Sequence, residues 1–282
     1  MREKGDRQPW PRGSRVAGPL FFLLAGLAAL ACLAQSELPR EVLLLARIRQ
    51  KMGQNLTRMP DYTCLETIER STRPRASRPY RLEDTVRLEV AHVGNKELYS
   101  WPGAQKFEER GVAELVGAGM TSSGDFALHL RAVFADASPT FTYRGEEETH
   151  GRRTVRYEYS IPQNLSGYRL RFGGRGAVVG CSGSFWADPE TLEVVRLEVR
   201  AEDIPPDLPV LSAVTLIDYA KMRVGASEVM LPQRAELLMT DWLGRQSFNR
   251  TEFTLCRQYV GESVVIFVES EITFGPPAKQ KK

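Results

Sequence analysis

Histidine is scarce in this sequence, and the familiar catalytic motifs are missing. The 282 residues include three histidines, and none lies in a His-Glu-x-x-His motif or beside a cysteine pair at metal-ligand spacing. The glycine-rich stretch 172–180 lacks both a phosphate-loop lysine and a dinucleotide-binding fingerprint. The stretch 180–184 (GCSGS) leads into a predicted strand, whereas a nucleophile elbow leads into a helix. We therefore expect no metal site, no cofactor and no enzymatic activity.

Outside residues 1–15, the sequence also lacks an excess of positive or negative charge. Residues 1–15 carry five basic and two acidic side chains, and the remaining residues carry 33 of each sign. Nucleic-acid binding requires a concentrated basic surface, so we expect no nucleic-acid partner. Three successive glutamates in 145–151 (GEEETHG) border a turn, and we expect them in a solvated loop rather than in an acid–base site.

The N-terminus has the pattern of an export signal. A basic leader precedes a stretch without charge from Val16 to Ser36, and its dense apolar core is Leu20–Ala34. This order predicts a signal peptide over residues 1–34. A retained membrane anchor is the alternative; a span needs ~20 apolar residues, and Pro19 and Gly26 shorten this one.

Two processing sites compete at the end of this segment. Ala29–Cys32 (ALAC) resembles the lipobox of bacterial lipoproteins, in which Cys32 would carry the lipid. Alternatively, Cys32 and Ala34 supply small residues for ordinary cleavage before Gln35. We predict an exported protein of the periplasm or outer envelope of a bacterium. A lipidated Cys32 or an uncleaved signal would add membrane association.

Three cysteines follow the signal, and three cannot all pair within one chain. Cys64 and Cys256 lie in predicted strands near the two ends of the domain, and a disulfide between them would contribute ~3–5 kcal/mol. Three buried free thiols, including Cys181, are the alternative.

The apolar periodicity changes from helical to strand-like near residue 62. Residues 38–56 repeat apolar side chains every three or four positions, which predicts an amphipathic helix. From Tyr62 onward most segments alternate apolar and charged residues, as in 154–161 and 195–199, apart from a helical insert at about 107–135. Ten to twelve strands with short connections and no βαβ rhythm predict an antiparallel sheet with one covered face.

The resulting prediction is a single domain over 35–270 of the α+β class, mainly antiparallel β. Its curved sheet is covered on the concave face by the N-terminal helix and the helical insert. The tail 271–282 is expected to be disordered.

Several quoted segments resemble the half-barrel proteins of the bacterial envelope. They are the first helix and the segments GRRTVRYEY (151–159), FWADPET (185–191) leading into VVRLEV (194–199), and LPQRAEL (231–237). The group includes the periplasmic lipoprotein carriers of the LolA and LolB type and the lipid-sensing regulator RseB. The resemblance covers 40–270, and the chain as a whole is also similar to exported proteins of soil bacteria.

This resemblance implies an apolar cavity between sheet and helices that holds acyl chains. The chain then binds or carries a lipid or a lipoprotein acyl chain without catalysis. An envelope sensor or scaffold that binds a protein partner is one alternative, and an enzyme without a recognisable motif is another. The candidate cavity residues are Leu45, Met52, Val90, Phe126, Val133, Tyr157, Leu170, Trp186, Leu197 and Leu216.

Overall fold

The computed structural model describes residues 38–94, 96–104, 106–107, 111–117, 126–136, 139–172 and 174–259. The predicted signal peptide, Cys32 and the tail 271–282 lie outside these residues. Two compact units are distinguished, with the division between Leu43 and Leu44, and the sheet belongs to the second. Across the described ranges, no helix combines the length and the apolar character that crossing a membrane would require.

The described ranges contain three α-helices and twelve β-strands. The helices are α1 (Arg40–Arg58), α2 (Val112–Val116) and α3 (Leu128–Arg131), which continues into a π-helical turn at Ala132–Asp136. The strands are β1 (Tyr62–Arg73), β2 (Arg81–Val93), β3 (Lys96–Ser100), β4 (Thr140–Thr149), β5 (Arg152–Ile161), β6 (Arg169–Phe172), β7 (Arg175–Val178), β8 (Gly180–Ala187), β9 (Val194–Glu202), β10 (Val210–Val224), β11 (Ser227–Asp241) and β12 (Gln246–Gln258).

Ten of these strands form one antiparallel sheet in the order β3-β2-β1-β12-β11-β10-β9-β8-β5-β4. Strands β6 and β7 form a separate hairpin between β5 and β8. Strands β3 and β4 stand at opposite ends of the order, so the described sheet is open rather than closed. The predicted fold class, a curved half-barrel of mainly antiparallel β-structure with few helices, is confirmed.

One surface of the sheet carries the hydrophobic core, and we call it the inner face. Ile48, Met52 and Leu56 form the buried stripe of α1, spaced four residues apart, and they join one buried cluster with side chains from the sheet. The connection from β3 to β4 joins the two edges of the sheet. Phe126, in the turn before α3, and Phe134, in the π-helical turn, pack on inner-face aromatic rings, so the insert covers this face as predicted.

Two local predictions need correction. The glutamates of 145–151 do not lie in a loop, because β4 continues through Thr149 and pairs with β5 up to the turn at His150 and Gly151. The glycine-rich stretch 172–180 is not a simple loop either. Arg175–Val178 forms strand β7, and Gly174 supplies the positive φ of the turn that joins β6 to β7.

Candidate functional site

The inner face changes from apolar to polar along the strands at its centre. On β1 the inward side chains run from Tyr62 and Cys64 to Arg70, and all three are buried. On β12, which pairs with β1, they run from Phe253 to Asn249. The same strands therefore supply a hydrophobic core at one end and a polar surface at the other.

The apolar half is filled by packed aromatic side chains. Phe126 from the insert lies between Tyr62 and Phe253, with ring centroids 4.7 and 5.2 Å away. Phe185 stacks on Tyr157 at 5.3 Å and meets Phe134 edge-on at 5.0 Å. Glu97 holds the insert in place, because its carboxylate accepts hydrogen bonds from the backbone N–H groups of Ala127 and Leu128.

The polar half contains a cavity of about 1060 Å³, which we call the arginine cavity. Its floor is the inner face of β1, β12 and β11, and the β6–β7 hairpin and α2 stand opposite. The connections β1–β2 and β11–β12 form its rim. The lining residues are Arg70, Ser71, Thr72, Arg73, Pro74, Glu83, Ala113, Glu114, Gly117, Arg169, Arg171, Phe172, Gly174, Arg175, Gly176, Met239, Asp241, Arg245, Ser247 and Asn249.

A second, smaller apolar cluster anchors the hairpin over the cavity. Leu170 and Val179 from the hairpin region pack with Leu208, Val210, Ala213 and Met239. Arg171 forms an ion pair of 3.1 Å with Glu114, which ties the hairpin to α2. Arg175 Nη1 donates a hydrogen bond to the backbone carbonyl of Asp207. The hairpin is thereby held over the polar part of the inner face.

Arg70 is the buried cation of the cavity floor, with 8% of its surface exposed. A buried guanidinium requires a partner, and Asp84 on the adjacent strand β2 accepts two hydrogen bonds from it, at 2.7 and 2.5 Å. The hydrogen bond raises the pKa of Arg70 and lowers the pKa of Asp84. Arg70 is therefore a fixed, already neutralised part of the floor.

The rest of the cavity has an excess of positive charge. Six arginines line it, against the three carboxylates Glu83, Glu114 and Asp241. Within the described ranges, Arg73, Arg169 and Arg175 make no ion pair with a carboxylate. Arg73 instead donates to Gln246 Oε1 at 2.7 Å and lies over the ring of Tyr80. Neither Gln246 nor Tyr80 lines the cavity, so the guanidinium of Arg73 is engaged outside it. Arg169 and Arg175 are lining residues without a neutralising carboxylate from the described chain.

The ten residues predicted for an acyl cavity do not line the arginine cavity. Seven belong to the packed core of the apolar half, with Leu45 only partly buried: Leu45, Met52, Val90, Phe126, Val133, Tyr157 and Leu197. Leu170 lies in the small cluster that anchors the hairpin. Acyl-chain binding by these residues stays a prediction.

The remaining two predicted residues lie on the opposite, outer face of the sheet. Leu216 pairs with Glu198 and Glu236 across the neighbouring strands, whereas Thr215 and Ile217 point into the core. Trp186 donates its Nε1 hydrogen to Glu147, and Arg156 lies 5.3 Å from its ring centroid. Adjacent residues of a strand point to opposite faces of the sheet, so a shift of one residue moves a side chain to the other face. The periodicity of the sequence does not show which of the two faces is covered.

The arginines of the cavity were not among the residues predicted from the sequence. Their signal is nevertheless present as two segments without acidic residues, 70–81 with five arginines and 168–175 with three. Because the total numbers of basic and acidic residues are nearly equal, the net charge of the chain does not reveal either segment. The fold brings the ends of these segments to one cavity, although about a hundred residues separate them in the chain.

The predicted disulfide is confirmed, because Cys64 and Cys256 are bonded between β1 and β12. The pairing of these strands is irregular here, and Leu255, which precedes Cys256, has a positive φ. Cys181 is a free, buried thiol whose pKa is raised by burial. Among the residues that the structure describes, no group of three or more His, Cys, Asp or Glu side chains is arranged to hold a metal ion.

No protein-family model and no curated relative matches this sequence. The chain is similar to the crystal structure of a DUF1329 family protein from Desulfovibrio piger ATCC 29098, with 14% identity over 77% of this chain and 92% of that one and a TM-score of 0.39. It is also similar to an outer membrane lipoprotein-sorting domain from Vibrio parahaemolyticus, with 11% identity over 78% of this chain and 92% of that one and a TM-score of 0.35.

A third similar structure is the MucA/MucB complex of Pseudomonas aeruginosa, with 11% identity over 76% of this chain and 98% of that one and a TM-score of 0.24. The similar structures thus include a lipoprotein-sorting domain, the kind of protein that the sequence resembles. Their TM-scores are low, and they transfer no function to this chain.

Proposed function

We propose that this protein is a non-enzymatic binding protein of the bacterial envelope that binds or carries a hydrophobic ligand, a lipid or a lipoprotein acyl chain. The arginine cavity on the concave face is its binding site. The observation that carries this proposal is the cavity itself, about 1060 Å³ in volume between the sheet and the β6–β7 hairpin. This volume is at the upper end of the range of ligand pockets, ~300–1,000 Å³.

The walls of the cavity offer surface to an apolar chain as well as to polar groups. Phe172, Met239, Pro74 and Ala113 contribute apolar side chains. The aliphatic stems of the surrounding arginines add to this surface, because a guanidinium can remain in water while its methylene groups pack against an apolar group. A ligand with an acyl chain would bury this surface on binding, which favours association.

Location in the envelope is supported by two independent features. The N-terminal sequence has the order of an export signal, and the disulfide between Cys64 and Cys256 is typical of proteins in oxidising compartments. Both features agree with a protein that acts outside the cytoplasm.

Native mass spectrometry of protein purified from membrane-containing cells tests the proposal. We expect a bound species heavier than the chain by the mass of a lipid. The variant Ala113→Trp places a large side chain on α2 inside the cavity, and it should lose this species because ligand and indole compete for the same volume.

A control variant distinguishes blocking of the cavity from a general effect of an added tryptophan on lipid binding. Leu165 is 52% exposed and lies outside the cavity, so Leu165→Trp should retain the bound lipid. Equal thermal unfolding of both variants verifies that they are folded. A wild-type protein without any bound lipid, which also fails to take up added lipid, would refute the proposal.

A further inference from the structure

We infer that the arginine cavity recognises an acidic headgroup, a phosphate or a carboxylate, carried by an acyl chain. The inference rests on the proposed function and adds the charge of the ligand. It follows from two cavity arginines that lack a carboxylate partner in the described chain, Arg169 and Arg175.

The position of these arginines suits the capture of an anion. Arg169 and Arg175 stand at opposite ends of the short β6–β7 hairpin and are exposed. Guanidinium groups bind carboxylate and phosphate oxygens through paired hydrogen bonds, and these charge-assisted bonds are about twice as strong as neutral ones. An anion bound in the cavity beside the hairpin would therefore find a cationic group at each end of the hairpin.

The carboxylates of the cavity are already engaged and do not neutralise these arginines. Glu114 pairs with Arg171, and Glu83 accepts a hydrogen bond from the hydroxyl of Thr72. Asp241 accepts hydrogen bonds from the backbone N–H groups of Leu243 and Arg245 in the β11–β12 turn. An incoming anion consequently displaces no ion pair when it binds Arg169 or Arg175.

The size and the walls of the cavity point to an amphiphile rather than to a free ion. A water molecule occupies about 30 Å³ in the liquid, so a small oxyanion would fill little of the cavity. Phe172 and Met239 lie among the same lining residues as the arginines and provide the apolar contact that a chain requires. Headgroup and chain would thus be bound in one site.

Isothermal titration calorimetry of the delipidated protein tests this inference with three probes. Lysophosphatidic acid carries a phosphate and one acyl chain, a monoacylglycerol carries the same chain without charge, and inorganic phosphate carries the charge without a chain. We expect lysophosphatidic acid to bind about tenfold or more tightly than either other probe, because only it makes both kinds of contact. Its affinity should also decrease as the salt concentration rises.

The double variant Arg169→Gln/Arg175→Gln removes both charges and keeps part of each aliphatic stem. It should lose about tenfold or more of the affinity for lysophosphatidic acid and weaken monoacylglycerol binding far less. The control is Arg87→Gln/Arg223→Gln, which removes the same charge from exposed arginines outside the cavity. This control should bind all three probes as the wild type does.

Three results would overturn the inference. Equal affinity for lysophosphatidic acid and monoacylglycerol would show that charge is not recognised, and the proposed lipid-binding function would still stand. Binding of inorganic phosphate as tight as that of lysophosphatidic acid would show that the chain contributes nothing. Absence of binding by either lipid would reject the inference together with the proposed function.

Discussion

Gly183 lies where strands β8 and β9 approach so closely that no side chain fits. A Cβ at this position would lie 1.9 Å from the backbone carbonyl oxygen of Glu198. The side chain of Tyr159, which pairs with Gly183 across β5 and β8, occupies the space nearby and donates its hydroxyl hydrogen to the same carbonyl at 2.8 Å. Burial raises the pKa of Tyr159 well above its ordinary value, so this hydroxyl remains a donor at all physiological pH values.

We predict that Gly183→Ala lowers the free energy of unfolding by about 2 kcal/mol or more, since a backbone shift is needed to remove the clash. Urea unfolding followed by circular dichroism measures this change. The control is Gly53→Ala in the interior of α1, where nothing lies within 4 Å of the added Cβ. That substitution should instead stabilise the protein by about 0.4–1 kcal/mol. A Gly183→Ala protein as stable as the wild type would contradict the close approach.

At the scale of single residues, the sequence predicted which residues lie in strands more accurately than it predicted the face of the sheet on which each side chain lies. It correctly predicted that the stretch 180–184 leads into a strand, because this stretch lies in β8. It placed Leu216 and Trp186 with the inward residues, although both lie on the outer face. Alternation defines two faces without stating which is covered, and the covering segments come from distant parts of the chain.

The disulfide links the first and last described strands of the sheet. Strands β1 and β12 pair along most of their length, and Cys64 and Cys256, which are 192 positions apart in the sequence, bond across them. Cross-linking residues this far apart restricts the unfolded chain strongly, whereas the folded sheet already holds them together. The bond therefore stabilises the pairing on which the centre of the sheet depends.

We predict that reduction, or the double variant Cys64→Ser/Cys256→Ser, lowers the free energy of unfolding by ~3–5 kcal/mol. Thermal unfolding with and without a reductant measures the effect. Cys181→Ser is the control, because Cys181 is a free thiol and its variant should still respond to the reductant. A midpoint that is the same with and without reductant in the wild type would show that the bond contributes no stability.

At the scale of elements, the alternation of apolar and charged residues predicted most strands closely. The helical periodicity of the N-terminal segment predicted the first helix closely. The helix predicted over 38–56 is α1 at Arg40–Arg58, and the alternation at 154–161 lies within β5. The sequence did not predict that β4 continues through the three glutamates, because consecutive charges conceal alternation. It also did not predict β7, because glycines next to Arg175 weaken the strand pattern.

At the scale of the whole described sheet, the inner face carries both the hydrophobic core and the arginine cavity. Its apolar half is packed by α1 and the insert and supplies the core. Its polar half contains the cavity beneath the β6–β7 hairpin, which is held by a small apolar cluster and by the ion pair between Arg171 and Glu114. The sequence predicted a covered concave face and ten candidate ligand-binding residues, most of which lie in the core, and their role in binding stays a prediction. Long-range pairing decides which part of the face is filled, and such pairing is not visible in local periodicity.

Photo-crosslinking most directly tests the central claim that ligand binds in the arginine cavity. A lysophosphatidic acid with a diazirine in its acyl chain is bound, irradiated and located by peptide mass spectrometry. We predict adducts on the β6–β7 hairpin, on α2 and at the end of β11, where the cavity walls lie. Adducts confined to the outer face around Trp186 and Leu216, or to the packed core beneath Phe126, would contradict the account.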